Sequence, residues 1–332
     1  MSTKNVSMKA IASQLNVSIN TVSHALRDMD DISEELKSKI RKKALELGYM
    51  PNRVAQRMRK DEKPVVAILI NSFLNLYFNT FSCELTKLLH EKNKYGFLLL
   101  YSERLDNDVI KQCVLQRVDL LVTQLEPPPD TLDFANLNDI KIVLVGNKPT
   151  IKNMDTVSVD HQAGCSLAAR YLTEKGKKLV YVGIDYFLSE YRYSIFLSEV
   201  RKMCENAEVR YFDTENEDIC TLYSLVEQGY RGLFFYNDML VYEVIAKLEE
   251  IGGDLRKKYA DLRTVGFDGL CRNVYGLEKM VTVMINFQEF ALGTYRVIEN
   301  RLKKPGSGPQ QLIQPVMLYT GEEEHGVFVA RD

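Results

Sequence analysis

The sequence predicts a small all-α head followed by an α/β body. Three observations carry that reading. The first sixty residues hold short apolar repeats of helical period separated by a turn. After Lys63-Pro64 the pattern changes to apolar runs alternating with helical stretches, which suits parallel sheets covered by helices. Charge divides at the same place. Residues 1–63 carry 13 Lys/Arg against 8 Asp/Glu, a balance of +5, and the rest of the chain carries 30 against 37, a balance of −7. A basic head on an acidic body fits attraction to phosphate by the head alone.

The head reads element by element. Met8, Ile11, Ala12 and Leu15 recur at helical spacing, with Ser7 placed to cap the first helix. Asn16 falls where the chain must turn, and Asn tolerates the left-handed conformation. Val17 plugs the small core, and Ser18 caps a second helix in which Val22 and Leu26 face inward. Ile19, Asn20, Thr21, Ser23 and His24 are left outside. An exposed helix start with short polar residues is what a recognition helix needs, because its first turn reaches base edges while backbone N–H groups meet phosphate. Asn20 and His24 are the candidate base readers, and Ile19 suits a thymine methyl. Ser33-Glu34-Glu35-Leu36 opens a third helix with a cap and two acids. Leu36, Ile40, Ala44 and Leu47 form its core stripe, Lys37, Lys39, Arg41, Lys42 and Lys43 line the rest, and Gly48 ends it.

That order is a helix-turn-helix unit. Val17-Ser18, Thr21-Val22-Ser23, Leu47-Gly48-Tyr49-Met50-Pro51-Asn52 and Val54-Ala55 together resemble the lactose-repressor (LacI/GalR) family of bacterial transcriptional regulators. The resemblance implies a DNA-binding domain over 1–48, a hinge over 49–63 that is helical on DNA, and an effector-binding and dimerisation domain over 64–332. It implies a homodimer on near-palindromic operator DNA. Ser7, Ser18, Ile19, Asn20, Thr21, Ser23 and His24 would contact the major groove and its phosphates. Asn52, Arg53, Val54, Ala55, Met58 and Arg59 would serve the hinge. The chain departs from the family at three positions: His24 stands where Arg is common, Arg27 where Asn is common, and Met58 where a Leu wedge usually enters the minor groove. Met is apolar and adaptable, so it can fill the same gap. Residues 53–59 are too few for a stable isolated helix, so the hinge should fold only when two copies pair on DNA.

In the body, apolar runs at 65–70, 97–101, 120–125, 142–145 and 157–159 read as one series of strands. Runs at 179–184, 209–212, 233–236, 264–267 and 281–285 read as a second. Helical stretches at 78–92, 109–117, 162–175, 190–205 and 240–251 lie between them. That length suits two lobes better than one sheet. The resemblance implies a periplasmic-binding-protein-like pair of Rossmann-like lobes, an N-lobe of about 64–160 and 286–315 and a C-lobe of about 161–285 and 316–332. Such lobes bind small molecules at the carboxyl ends of their strands. The candidate effector contacts are Asn71, Asn75, Phe78, Arg192, Asn237, Asp238, Asp268 and Asn286. An Arg fork and a carboxylate can hold vicinal hydroxyls from both sides, so a sugar or sugar derivative is the expected effector. Each residue also has a plainer reading. Asp238 can cap a helix, Asn237 can serve a turn, Arg192 can pair with Glu190, and Phe78 can belong to the core.

Several classes find no support. No Gly-rich nucleotide fingerprint, Gly-x-Ser-x-Gly elbow or metal-spaced His/Cys set is present, so no catalysis, cofactor or metal is expected. Cys83, Cys113, Cys165, Cys204, Cys220 and Cys271 are scattered and read as buried thiols in a reducing cytoplasm. No signal-peptide pattern and no membrane-length apolar run appear, so a cytoplasmic protein without a membrane partner is expected. Residues 127–129 and 304–309 read as loops, and no leucine heptads follow at the C-terminus, which favours a dimer. Two rival readings stand beside the small-molecule one. The first is a global regulator controlled by a phosphorylated carrier-protein partner; the second is a sugar-processing enzyme with a DNA-binding head.

Overall fold

The computed structural model describes residues 8–26, 29–47, 63–146, 154–174, 176–270 and 280–320. The chain divides into two compact units, residues 1–63 and 64–332. In the first, α1 (Met8–Leu15), α2 (Ile19–Leu26) and α3 (Glu34–Glu46) close around Ile11, Ala12, Val22, Ala25, Ile40 and Ala44, all buried. Asn16 takes φ 52° in the tight turn, as its side chain allows. Gly48 and the whole run 48–62 lie outside the described residues.

The body contains two six-stranded sheets. Its elements begin with β1 (Val65–Ile70), α4 (Leu76–Lys92), β2 (Gly96–Tyr101), α5 (Asn107–Leu115) and β3 (Leu120–Thr123). They continue with α6 (Pro129–Leu137), β4 (Lys141–Val145) and β5 (Asp155–Val159). The second series is α7 (His161–Thr173), β6 (Lys178–Gly183), α8 (Phe187–Met203), β7 (Glu208–Asp213), α9 (Ile219–Glu227) and β8 (Gly232–Phe235). Then come α10 (Asp238–Gly252), α11 (Leu255–Lys258), β9 (Arg263–Asp268) and β10 (Val281–Ile285). Last are α12 (Phe287–Lys303), β11 (Gln311–Gln314) and β12 (Val316–Tyr319).

The first sheet runs β11-β5-β4-β3-β1-β2 and the second β12-β10-β9-β8-β6-β7. The chain therefore passes between sheets after β5, after β10 and between β11 and β12. Pairing is parallel throughout the first sheet. In the second sheet β12 joins β10 antiparallel, one exception to the all-parallel expectation. It follows because β11 runs parallel to its own sheet and β12 begins after the single residue Pro315, so the chain enters the second sheet from its carboxyl-end side with no helix between them to reverse it.

The central strands are buried on both faces and are near-continuous apolar runs, while the edge strands β2, β7, β11 and β12 are only partly buried. Val66, Ile68 and Ile70 of β1 face Phe81 and Leu85 of α4, while Ala67 and Leu69 face Ile110 and Cys113 of α5. Residues 127–129 are not all loop, since Pro129 opens α6. A proline has no N–H to lose there, and its fixed φ suits a first helical turn. Of the cysteines, Cys113 and Cys165 are buried, with burial pushing their thiols up to about 11 and about 12. Cys83 and Cys220 are exposed, contrary to the reading of all six as buried, and Cys271 lies outside the described residues.

One buried pair ties the returning segment to the first sheet. Arg301 of α12 grips Asp155 at the start of β5 with two bonds, Nε–Oδ2 at 2.5 Å and Nη2–Oδ1 at 2.7 Å. The same guanidinium donates to the carbonyls of Pro305, Ser307 and Gly308, and Asp155 also accepts from the Gln310 N–H at 2.8 Å. All of these bonds fix the loop that delivers β11. Asp155→Ala should strand Arg301 in the interior and cost the body about 3–5 kcal/mol, read as a lowered urea midpoint. A midpoint within experimental error of the parent would show that the clamp is dispensable.

Candidate functional site

On the head, α2 presents its start outward. The Ser18 hydroxyl accepts from the Thr21 N–H at 2.9 Å and shares a hydrogen bond with the Thr21 hydroxyl at 2.8 Å, so the cap is formed. Ile19 is 48% exposed and Asn20 is exposed beside it. Thr21 is half-buried. His24 is half-buried, and its Nδ1 lies 2.6 Å from Asp31, so this side chain already has a partner inside the head. Ser23 is buried, not outside: it shares the inward side of α2 with Val22 and Ala25. On α3, Lys39, Arg41 and Lys42 are exposed as read from the sequence, Lys43 is half-buried, and Lys37 is not exposed. Lys37 is buried, with Nζ 2.6 Å from Glu34, while Lys39 meets Glu35 at 2.8 Å and Lys43 meets Glu46 at 2.6 Å. Ser7 and the hinge candidates Asn52, Arg53, Val54, Ala55, Met58 and Arg59 lie outside the described residues, as does Arg27.

In the body, a cavity of about 400 Å³ opens where strand ends of the two sheets face each other. The first sheet supplies Asn71 after β1, Asn75 and Tyr77 at the start of α4, Gln124 after β3 and Gly146 after β4. The second supplies Tyr186 and Arg192 of the β6–α8 segment, Tyr236 and Asn237 after β8, and Asp268 at the end of β9. Leu74, Leu125, Ile184, Leu188 and Met239 fill the intervals. The wall is thus polar at its strand ends and apolar between them.

Arg192 is 3% exposed and Asp268 6%. The guanidinium donates from Nη1 to the Tyr236 carbonyl at 2.5 Å and faces Asp268 from Nη2 at 3.8 Å. Its plane lies 3.6 Å over the Phe267 ring. No pairing with Glu190 is needed to explain it. Burial pushes the Asp268 carboxyl up to about 8; Arg192 pulls the other way and loses, and Asp238 adds to the rise. A carboxyl raised in this way holds its proton more readily than an exposed one, and its 3.8 Å separation from Nη2 is longer than a hydrogen bond. Its backbone φ of 112° is strained for a residue with a Cβ.

Asp238 stands behind that strain rather than in the cavity. It is fully buried, accepts from the Leu270 N–H at 2.7 Å and takes the Thr282 hydroxyl at 2.6 Å. Those bonds pin the turn that presents Asp268. Phe78 is also outside the cavity: it is fully buried against Phe81, and its neighbour Tyr77 reaches the wall instead. Asn286 caps α12 through the Gln288 and Glu289 N–H groups, both at 3.1 Å, and is exposed. Asn237 and Asn75 do both jobs, lining the cavity while capping α10 and α4 through Leu240 and Phe78 N–H. Gln124 joins Asn71 and Asn75 into one amide row. Gln124, Tyr77 and Tyr186 were not among the sequence candidates. The strand-end position of Gln124, directly after Thr123, is the signal that could have found it. Tyr77 is held by an edge contact to Phe287 at 5.5 Å, and a Cβ on Gly146 would meet its ring at 3.1 Å. Its hydroxyl is buried with no hydrogen-bond partner among the described residues. Among those residues, no three His, Cys, Asp or Glu side chains converge as a metal site would require, and no helix is long and apolar enough to cross a membrane.

Residues 7–52 match the family model described as bacterial regulatory proteins, lacI family. The regulator RegA of Clostridium saccharobutylicum is 27% identical over 187 residues, spanning 53% of this chain and 54% of that protein. The repressor CytR of Escherichia coli strain K12 is 22% identical over 281 residues, 79% and 80% of the two chains. Among solved structures, the lac repressor dimer bound to operator and the anti-inducer ONPF superposes with a TM-score of 0.76 at 15% identity, covering 95% of this chain and 98% of that one. That likeness establishes the fold: a helix-turn-helix head with a two-lobed, periplasmic-binding-protein-like body.

Two outcomes are expected from this geometry. Ser18→Ala removes the cap of α2 and should cost the head about 1 kcal/mol, seen as faster hydrogen exchange at α2 amides. Unchanged exchange would mean the cap is replaced by water at no cost. The raised Asp268 value makes the native state hold a proton that the unfolded chain releases near its ordinary value of about 3.9. Stability should therefore fall as pH rises between about 4 and about 8. Asp268→Asn should flatten that part of the pH profile; parallel urea midpoints for parent and variant across the window would contradict it.

Proposed function

We propose that this chain, whose residues 7–52 match the lacI family model, is a cytoplasmic repressor of that family whose hold on a near-palindromic operator is controlled by a small molecule, a sugar or sugar derivative. Two copies place two α2 helices in successive major grooves, with Asn20 and Ile19 at the base edges and Ser18 at the backbone. The 49–63 hinges meet between them, and Met58 enters the minor groove. The body, 64–332, provides dimerisation and the ligand site.

The observation that carries this reading is the cavity wall. Arg192, Asp268, the Asn71–Gln124–Asn75 row and Asn237 offer donors and acceptors at the rim of an apolar slot. A pyranose or furanose has that same division, hydroxyls at its edge and C–H groups on its faces. Tyr77 adds a buried hydroxyl still free to bond a ligand. A ligand favouring one lobe arrangement would bias whether the hinges pair.

A thermal-shift panel of sugars, sugar phosphates and nucleosides on the full-length chain tests the ligand class. A bound ligand at about 100 times its Kd adds about 2.7 kcal/mol of stability. A stereochemically selective hit supports the cavity reading, and a flat panel rejects it. Asp268→Ala should then weaken the response to the hit roughly tenfold or more, about 1.4 kcal/mol, while operator affinity stays close to the parent's. Equal loss of both would assign Asp268 a structural role. Selection of operator sequences by the full-length protein tests the DNA half; the absence of any sequence preference would end it.

A further inference from the structure

His161 stands outside the cavity wall, directly behind Arg192. It is the first residue of α7, reached as soon as the chain leaves β5 and the first sheet. It is 5% exposed, packed edge-on to Tyr191 with ring centroids 6.0 Å apart and tilted against Phe267 at 5.9 Å. Its Nδ1 lies 3.4 Å from Nε of Arg192.

A guanidinium has donors and no acceptor, so the Nδ1 side of that contact must supply a lone pair. The ring is then neutral, with its proton on Nε2, a buried atom without a hydrogen-bond partner among the described residues, so the Arg192 contact and not the Nε2 side selects the tautomer. The surroundings agree. The charged group facing the imidazole is Arg192, from α8, and Asp268, from β9, meets the far side of the same guanidinium. Asp160, the preceding residue, turns its carboxylate to the Ala163 N–H at 2.8 Å. Burial first and the Arg192 charge second hold the imidazole well below the usual histidine range, outweighing the backbone of Gly146, which favours the protonated ring. A proton on Nδ1 would remove the acceptor and set two cations side by side in the interior.

We infer that His161 is a positioning residue: as a neutral imidazole protonated on Nε2, it fixes the Arg192 guanidinium by accepting from Nε, so that Nη1 and Nη2 are aimed at Tyr236 and Asp268. Three elements then converge on one planar group, the start of α7, the end of β8 and the end of β9. The Tyr236 carbonyl and the Asp268 carboxyl alone leave Nε without a partner and the plane free to rock about the Phe267 face. The tautomer and this hydrogen bond do not depend on which ligand enters the cavity. The effect on ligand binding does rest on the function proposed above.

The test is nitrogen-15 NMR of the full-length protein, which has four histidines to assign. One imidazole, identified by its absence in His161→Asn, should show the Nε2–H tautomer and no titration between about pH 5.5 and 8.5, where an ordinary histidine titrates. The Nε–H signal of Arg192, assigned by its absence in Arg192→Lys, should exchange slowly in the parent. It should exchange fast in His161→Leu, which keeps the bulk and removes the acceptor, and slow again in His161→Asn, whose amide oxygen can accept. An Nδ1–H tautomer, an ordinary titration near 6.5, or an Arg192 signal equally protected in the Leu variant would each overturn the inference. Should the Leu variant fail to fold, the tautomer and titration of the parent still decide it.

Discussion

A guanidinium buried as deeply as that of Arg192 must find partners for its donors, and much of the cavity follows from how it finds them. A side chain that is 3% exposed meets bulk water hardly at all, so the protein must supply most of its partners. The Tyr236 carbonyl and the His161 ring accept hydrogen bonds from it and the Asp268 carboxyl faces it at 3.8 Å, each carried to the spot by a different element. Phe267 supplies the flat surface below. The strained turn at Asp268 persists because Asp238 and Thr282 over-determine it from behind. Remove any one of these groups and a buried charge loses a contact that nothing nearby can replace.

The division of labour around that charge also explains why the body folds as it does near the cavity. Parallel strands leave all their carboxyl-end loops on one side of a sheet. Two such sheets, joined by three crossings, turn those loops toward each other. Polar residues can then be placed on loops while the strands behind them remain apolar and rigid. The amide row of Asn71, Gln124 and Asn75 belongs to the first sheet and the Arg–Asp pair to the second.

Ten strands were legible in the sequence because the central ones are buried on both faces and read as dense apolar runs, whereas β11 and β12, short edge strands only partly buried, were not read at all. The head was legible because its small core repeats at helical spacing. What failed was the choice of face. Phe78 and Tyr77 are adjacent on a helix, about 100° apart, so locating the turn before α4 did not say which ring would point at the cavity. Asn75, Asn237 and Asn286 all follow strands and all cap helices, and only the first two also line the cavity. A cap and a ligand contact demand the same residue type at the same position, so pattern cannot separate them. Ser23 and Lys37 failed for a related reason: in so small a core, helix sides that look polar in sequence are covered by the neighbouring helix. His161 carried no signal at all, since its role depends on a guanidinium thirty-one positions away.

The order of strands within the sheets has a consequence for how the chain acquires its fold. The first sheet draws five strands from residues 65–159 and takes its sixth, β11, only from 311–314. The second likewise waits for β12 at 316–319. The segment from 281 to 319 thus stitches both lobes at once, with α12 lying along α4 and Arg301 closing onto Asp155. During synthesis the head can fold from local contacts as soon as it emerges. Each sheet lacks its last edge strand until nearly the whole body has been made. Completion of the two lobes is therefore a single late event, and 64–332 behaves as one compact unit although it contains two sheets.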